Sequence, residues 1–276
     1  MLMLICPVCR NPLSRGRASW SCAQGHSFDI AREGYINLLL VQQKKSRHPG
    51  DGRDSLVARR QFLQSGHYEP LRQAFVAMMP TPRPQNWLDV GCGEGYYTSL
   101  MLDHADNVMG LDIAKAGVQM AAHRYAGMTW VVASAAALPL ASNSFDGGSS
   151  LFAPVPPDVV RVLRHGATLM VVTPDADHLL SVRQALFGEV RPHQPQRILQ
   201  SLPEGLEAVS QTPISFELKL QQADLKSLLA MTPYAWKAKP ERRAILEATL
   251  NMTTQAAFVL HVLRKQDEFP VIMTGD

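Results

Sequence analysis

Cys6, Cys9, Cys22 and His26 are the residues of this chain whose types and spacing suit a metal. Cys6-Pro7-Val8-Cys9 puts two thiols on one short knuckle, and Cys22-Ala23-Gln24-Gly25-His26 offers a second pair after twelve intervening residues. Zinc takes four soft or borderline ligands in a tetrahedron, and two short-spaced pairs across a hairpin supply them. Gly25, beside a ligand, suits the tight turn such a loop needs. With no open position in the set, the site is expected to be structural. The fourth cysteine, Cys92, lies far away. In a reducing compartment a cluster of this kind reads as metal ligation, not disulfides.

A second set of chemistry-bearing residues is Asp89-Val90-Gly91-Cys92-Gly93-Glu94-Gly95. Its glycines let a backbone approach a ligand at the carboxyl end of a first strand. Asp112 follows after about 20 residues, where an acid at the end of a second strand can accept two ribose hydroxyls. The glycine spacing is GxGxG, and no Lys-Ser or Lys-Thr follows. Neither a dinucleotide fingerprint nor a P-loop fits.

Both sets need elements to hold them. Residues 1–40 are turn-rich and read as a small metal-stapled module, too small to fold on a core of its own. Residues 41–85 begin with a basic linker, then show helical apolar spacing from Leu56 to Met79, interrupted at Gly66. From residue 86 to 276 the pattern is strand–turn–helix, repeated. Strands are expected at Trp87–Val90, Asn107–Leu111, Thr129–Ala133, Phe145–Phe152 and Ala167–Thr173, with helices at Tyr96–Asp103 and Lys115–Arg124. Two more strands, Ile214–Leu220 and Ala256–Arg264, have helices Ala223–Met231 and Glu241–Leu250 between them. The expected fold is α/β, a doubly wound parallel sheet behind a small zinc-binding domain.

The chain has 276 residues and a formal charge of +3. Residues 1–60 hold ten Lys/Arg against four Asp/Glu, and the remainder seventeen against twenty, so +6 precedes −3. A basic front on a near-neutral body suits a polyanionic partner. No apolar run reaches the length of a membrane span, and the start lacks a basic region before an apolar stretch. A cytoplasmic protein is expected.

The Asp89–Gly95 turn resembles motif I of class I S-adenosylmethionine-dependent methyltransferases, whose fold is a doubly wound, Rossmann-like sheet. Ala135 to Asp146, with Leu138-Pro139 and Asn143-Ser144-Phe145-Asp146, resembles their next two motifs. Most of those enzymes place an acid where Ser134 stands, so adenine recognition would rest on backbone near Ser134–Ala135.

The whole chain, from Cys6 to about Leu263, resembles the zinc-containing large-subunit rRNA (guanine-N1) methyltransferases. The resemblance is carried by the Cys6/Cys9/Cys22/His26 set, Glu33-Gly34-Tyr35-Ile36-Asn37-Leu38-Leu39, Pro49-Gly50-Asp51, Gly66-His67-Tyr68, Gly91–Tyr97, Ala153-Pro154, Thr173-Pro174…His178 and Met231-Thr232-Pro233-Tyr234-Ala235-Trp236. It implies methyl transfer to N1 of a guanine in a 23S rRNA hairpin, with S-adenosylmethionine as cofactor, structural zinc, and a homodimer. It implies cofactor contacts at Tyr68, Asp89, Gly91, Gly93, Glu94, Gly95, Asp112, Ser134, Ala135 and His178. Two departures stand out: Leu163-Arg164-His165-Gly166-Ala167 replaces a commoner Lys-Pro-Gly-Gly turn, and Gly147-Gly148-Ser149-Ser150 is small for a central strand.

Methyl transfer from a sulfonium is an in-line displacement, in which alignment and water exclusion matter most. Guanine N1 must also lose a proton, for which His178 and Asp175 are candidates by position. Phe152 and Trp236 could sandwich an unstacked base. Lys44, Lys45, Arg47, Arg59 and Arg60 would track phosphates. Two alternatives are a zinc-ribbon RNA-binding protein with an inactive methyltransferase domain, and a small-molecule methyltransferase.

Overall fold

The computed structural model describes residues 4–44, 46 and 49–267. They form two sheets. The smaller is antiparallel, of β1 (Ser14–Arg15), β2 (Ser19–Ser21) and β3 (Ser27–Asp29). Its strands are two or three residues long, and no residue in them is fully buried.

The larger sheet has eight strands: β4 (Ile36–Asn37), β5 (Asn86–Val90), β6 (Asn107–Asp112), β7 (Thr129–Val132), β8 (Phe145–Leu151), β9 (Leu163–Pro174), β10 (Leu206–Gln221) and β11 (Asn251–Lys265). Their order is β10-β11-β9-β8-β5-β6-β7-β4. The strands from β4 to β9 pair in parallel, and β11 and β10 add antiparallel at one edge. The sheet is therefore mixed, not parallel throughout. β5 pairs with β6 on one side and β8 on the other, so its carboxyl end is the point where ligands bind in such sheets.

The helices are α1 (Arg53–Gln64), α2 (Glu69–Ala77), α3 (Lys115–Arg124), α4 (Val159–Val162), α5 (Leu180–Phe187), α6 (Arg197–Gln200), α7 (Gln222–Met231), α8 (Pro233–Lys237) and α9 (Pro240–Ala248). The helix expected at Tyr96–Asp103 is a shorter 3-10 segment, Thr98–Asp103. Gly66, with φ +80°, separates α1 from α2.

The small residues of β8 have a packing reason. A Cβ on Gly147 would overlap the indole of Trp87, and one on Gly148 would come within 2.8 Å of the Leu88 carbonyl. The Trp87 Nε1–H donates to Ser149 Oγ at 3.1 Å. β8 is thus small because fully buried Trp87 on the neighbouring strand is large. Gly110 on β6 makes the same room for Trp130.

The zinc lobe is not a separate body. β4 pairs with β7, Leu38 N–H donates to the Val132 carbonyl at 2.8 Å, and Ile5 N–H to the Pro139 carbonyl at 2.9 Å. Leu4, Cys6, Leu13, Ile36 and Leu38 share one buried cluster with Leu88, Val90, Met109 and Val131. Full burial of each large aliphatic side chain contributes about 1.5–3 kcal/mol. Residue 40 is a boundary of composition, not of packing.

Candidate active site and metal centre

At the amino end, Cys6 N–H donates to the Asn11 carbonyl, and Arg10 N–H back to the Cys6 carbonyl, with Arg10 at φ +64°. Gly25 takes φ +82° where the second pair turns, and Cys22 N–H donates to the His26 carbonyl. These turns bring the four ligand atoms within 4.8 Å of one another. Cys9 Sγ and Cys22 Sγ are 3.6 Å apart, and His26 Nδ1 is 3.4 Å from Cys22 Sγ and 3.6 Å from Cys6 Sγ. With Zn–S about 2.3 Å and Zn–N about 2.0 Å, a tetrahedron has edges of about 3.8 and 3.5 Å. The donor set fits zinc. Burial alone would raise the Cys22 thiol. Hydrogen bonding to the His26 ring and to loop amides outweighs that and brings it down to about 6, towards the thiolate a metal needs.

At the carboxyl end of β5 the glycines take φ +81°, +55° and +85° at 91, 93 and 95. Gly91 N–H and Cys92 N–H both donate to the Leu111 carbonyl, which ties the turn to β6. A Cβ on Gly91 would meet that of Ala153 at 2.9 Å, and one on Gly117 of α3 would lie 2.8 Å from the Gly93 carbonyl. Asp112 Oδ2 accepts from Gly93 N–H at 2.8 Å and Oδ1 from Ala114 N–H at 2.7 Å. Each oxygen keeps lone-pair capacity for a further donor. Burial raises the Asp112 carboxyl, Asp51 adds to the rise, and the two amides and Arg59 oppose it. Nearby, the buried Tyr97 hydroxyl has no partner among the described residues. A cradle of backbone, a carboxylate with spare acceptor capacity and an unsatisfied hydroxyl together fit a nucleoside-bearing cofactor such as S-adenosylmethionine.

The other expected cofactor residues divide. Asp89 is 3% exposed, and both its oxygens are taken by the hydroxyls of Thr98 and Ser149. Burial lifts it to about 6. Near-complete burial between these two hydroxyls suits it to brace the turn, whereas Asp112 is only partly buried at the rim. Glu94 is also buried and raised to about 6, with Arg60, Arg59 and Arg124 opposing the rise. Ser134 Oγ accepts from Ala136 N–H at 3.3 Å and so caps the short Ala135–Ala137 turn after β7. Tyr68 stands at the N-cap position of α2, is 4% exposed, and packs on Phe62, Phe216, Phe258 and His178.

His178 follows β9. Its Nδ1 accepts the Ala257 N–H at 3.2 Å, so the neutral ring carries its proton on Nε2. Burial drives its pKa down to about 3, and the charges of His193 and Arg183 push the same way. The ring is a hydrogen-bond donor at working pH, which argues against its use as a proton acceptor. Asp175 Oδ1 accepts from the next residue's N–H and closes its own turn. Phe152, at φ +63° and 46% exposed, stands beside Tyr97 and Phe258. Trp236 is exposed beneath the Arg243 guanidinium, at one wall of a cleft of about 290 Å³ shared with residues 50–55.

Of the expected phosphate contacts, Lys44 is exposed, and Lys45 and Arg47 lie outside the described residues. Arg59 pairs with Asp51 at 2.7 Å and reaches within 3.4 Å of where a Cβ of Gly93 would stand. Arg60 Nη2 donates to the Met120 carbonyl at 3.2 Å. Arg59 thus lies over the glycine turn, and Arg60 is tied to α3 with its charge acting on Glu94. Asp51 and Arg59 as a strap across that turn went unread in the sequence. Pro49-Gly50-Asp51-Gly52 ahead of a helix was the available signal, and Gly50 packs directly on Ala114.

Comparison with known proteins agrees with both halves. A family profile described as "RlmA, N-terminal", a zinc ribbon, matches residues 4–47, and one described as "Methyltransferase domain" matches residues 88–171. A 23S rRNA (guanine(748)-N(1))-methyltransferase of Streptomyces fradiae is 34% identical over 267 residues, 91% of this chain and 94% of that one. Among solved structures, YcgJ of Bacillus subtilis aligns at TM-score 0.50 and 15% identity, over 73% of this chain and all of that one. The [4+2]-cyclase SpnF aligns at 0.50 and 17%, over 72% and 82%. A cyclase on this fold means that the fold alone does not decide the reaction.

Proposed function

Because this chain belongs to the family of 23S rRNA (guanine-N1)-methyltransferases, we propose that it transfers a methyl group from S-adenosylmethionine to N1 of a guanine in a 23S rRNA hairpin. The observation that carries this reading is the 34% identity sustained across both chains, zinc ribbon included. The cofactor supplies a methyl group on a sulfonium centre. The chain's own residues hold, orient and enclose. Asp112 takes the ribose hydroxyls, and the Gly91–Gly95 backbone lies under the methionine portion. Backbone at Ser134–Ala135 meets the adenine. Tyr68, Tyr97 and Phe152 wall the reacting centre against water. Cys6, Cys9, Cys22 and His26 hold zinc and fix the basic lobe against the sheet edge.

RNA affinity comes from phosphate neutralisation by the basic front, with Lys44 on its exposed surface. A guanine in a paired stem is unstacked to reach the pocket. The enzyme works in the cytoplasm, on the ground of its substrate, and a homodimer would offer two basic lobes to one RNA. The test is incubation with labelled cofactor and an unmodified 23S hairpin transcript, mapping of the methylated nucleotide, and a parallel assay on guanosine. Methylation at guanine N1 in the transcript with none on guanosine is expected. Equal turnover of both would favour a small-molecule enzyme. Cofactor binding without turnover would favour an inactive RNA-binding protein.

A further inference from the structure

We infer that Tyr234 and His193 form the proton-accepting wall of the base pocket, Tyr234 Oη taking the N1 proton of the guanine as its own hydrogen passes to His193 Nε2. This rests on the methyl-transfer reading above. The two side chains come from segments far apart in sequence. Tyr234 is the second residue of α8, just after Pro233 at its start. His193 lies in the loop between α5 and α6. His193 Nε2 stands 2.8 Å from Tyr234 Oη.

That loop is pinned to the end of β9. Arg183, 3% exposed, donates to the Arg191 carbonyl at 3.0 Å and to the Ala176 carbonyl at 2.8 Å. His193 N–H approaches the same Ala176 carbonyl at 3.4 Å. The clamp sets the His193 ring centroid 6.4 Å from that of His178, which lies 6.5 Å from that of Tyr68. Tyr68, His178, His193 and Tyr234 thus form a continuous polar-edged row beside Phe258 and Phe152. Phe152 in turn touches Tyr97, two residues past the glycine turn.

Chemistry assigns the roles. Guanine presents an acceptor, O6, beside a donor, N1–H. A site that selects it must present a donor beside an acceptor. His178 can only donate, because Ala257 N–H occupies its Nδ1. The assignment places the His193 proton on Nδ1, so that Tyr234 donates to Nε2 and keeps oxygen lone pairs for N1–H. His178 then meets O6 and Tyr234 meets N1–H. Adenine, with its donor and acceptor reversed on that edge, would face two mismatches. In the reaction the N1–carbon bond forms as the carbon–sulfur bond breaks, the electron pair going to sulfur. The N1 proton goes to Tyr234, the phenolic proton to His193, and from that half-buried ring to water. Tyr234 is the catalytic residue of the pair. His193 acts through it.

The pH dependence has a definite sign. Burial and then the Arg183 charge lower the His193 pKa from its ordinary 6.5, which keeps the ring neutral and receptive near neutral pH. The groups facing it are Tyr234, His178 and Arg183. Turnover should therefore fall as pH drops through that lowered value.

The experiment uses the full zinc-loaded chain, a 23S hairpin transcript and S-adenosylmethionine. Tyr234→Phe should lower kcat about a hundredfold, within the range of general acid–base catalysis. Affinities for S-adenosylhomocysteine and for RNA should stay within about twofold, which also reports folding. His193→Gln keeps an acceptor for the phenol but cannot take a proton, so kcat should fall likewise and the acid limb of the pH profile should vanish. If both variants keep kcat within about threefold, or the acid limb survives in His193→Gln, the inference is overturned and methyl transfer stands. A wild type that places no methyl on guanine N1 overturns the functional reading and this inference with it.

Discussion

The three-stranded sheet beside Cys6–His26 and the eight-stranded sheet beneath Gly91–Gly95 sit in one molecule, and different forces hold them. β1–β3 have no fully buried residue, so apolar transfer cannot fold them, and four ligand atoms within 4.8 Å of each other do so through a metal. β5 is buried along its whole length, and its neighbours trade side-chain volume strand by strand. The difference shows how a small lobe can carry basic groups without a core of its own. It borrows one edge of a larger core through Leu4, Ile36 and Leu38.

The sharpest way to break the comparison is at the metal. Structural zinc contributes on the order of 10 kcal/mol to small domains of this kind. Cys9→Ala should lose the metal and leave β1–β3 exchanging amide protons freely, while β5 and β6 stay protected. Metal analysis with hydrogen exchange reads both. Full zinc occupancy in that variant would sink the ligand assignment.

A core substitution tests the other side. Gly147→Val drives a side chain into the Trp87 ring and should cost about 1–3 kcal/mol by overpacking, read as a lower urea midpoint. Zinc content should not change. Adding Trp87→Leu should restore part of the loss, because the two sites share one space. Additive losses would mean that Trp87 is not the reason β8 is small.

Asp112→Ala sharpens the comparison at the rim. Losing a charged acceptor costs about 1.5–3 kcal/mol, offset in part by solvent. S-adenosylmethionine should bind at least about tenfold more weakly by calorimetry, with zinc retained. An unchanged dissociation constant would remove the ribose role.

The smallest effect belongs to the link between the two regions. Lys44→Ala should flatten the salt dependence of RNA binding by about one unit and leave cofactor affinity alone. An unaltered slope would take Lys44 out of the phosphate contacts.

Much of this was legible in the sequence because it is local. The expected strands at Trp87–Val90 and Thr129–Ala133 lie within one residue of β5 and β7, and Lys115–Arg124 coincides with α3. The metal ligands were readable too, since two short-spaced pairs must converge if a hairpin lies between them. Glycines at 91, 93 and 95 announced a turn only a positive φ can make.

The rest depends on contacts between residues far apart in the chain, which no local pattern encodes. Apolar alternation does not say with whom a strand pairs, so β10 and β11 were readable as two more strands but not as an antiparallel edge. Only packing shows that Gly147 is small because Trp87 is large. Only a sheet edge makes residues 36–38 part of the main core. The basic residues looked alike in sequence, yet Arg59 is spent on Asp51 above the glycine turn while Lys44 stays exposed. A charge takes its role from its nearest counter-charge and from its exposure, and both are set when the chain folds.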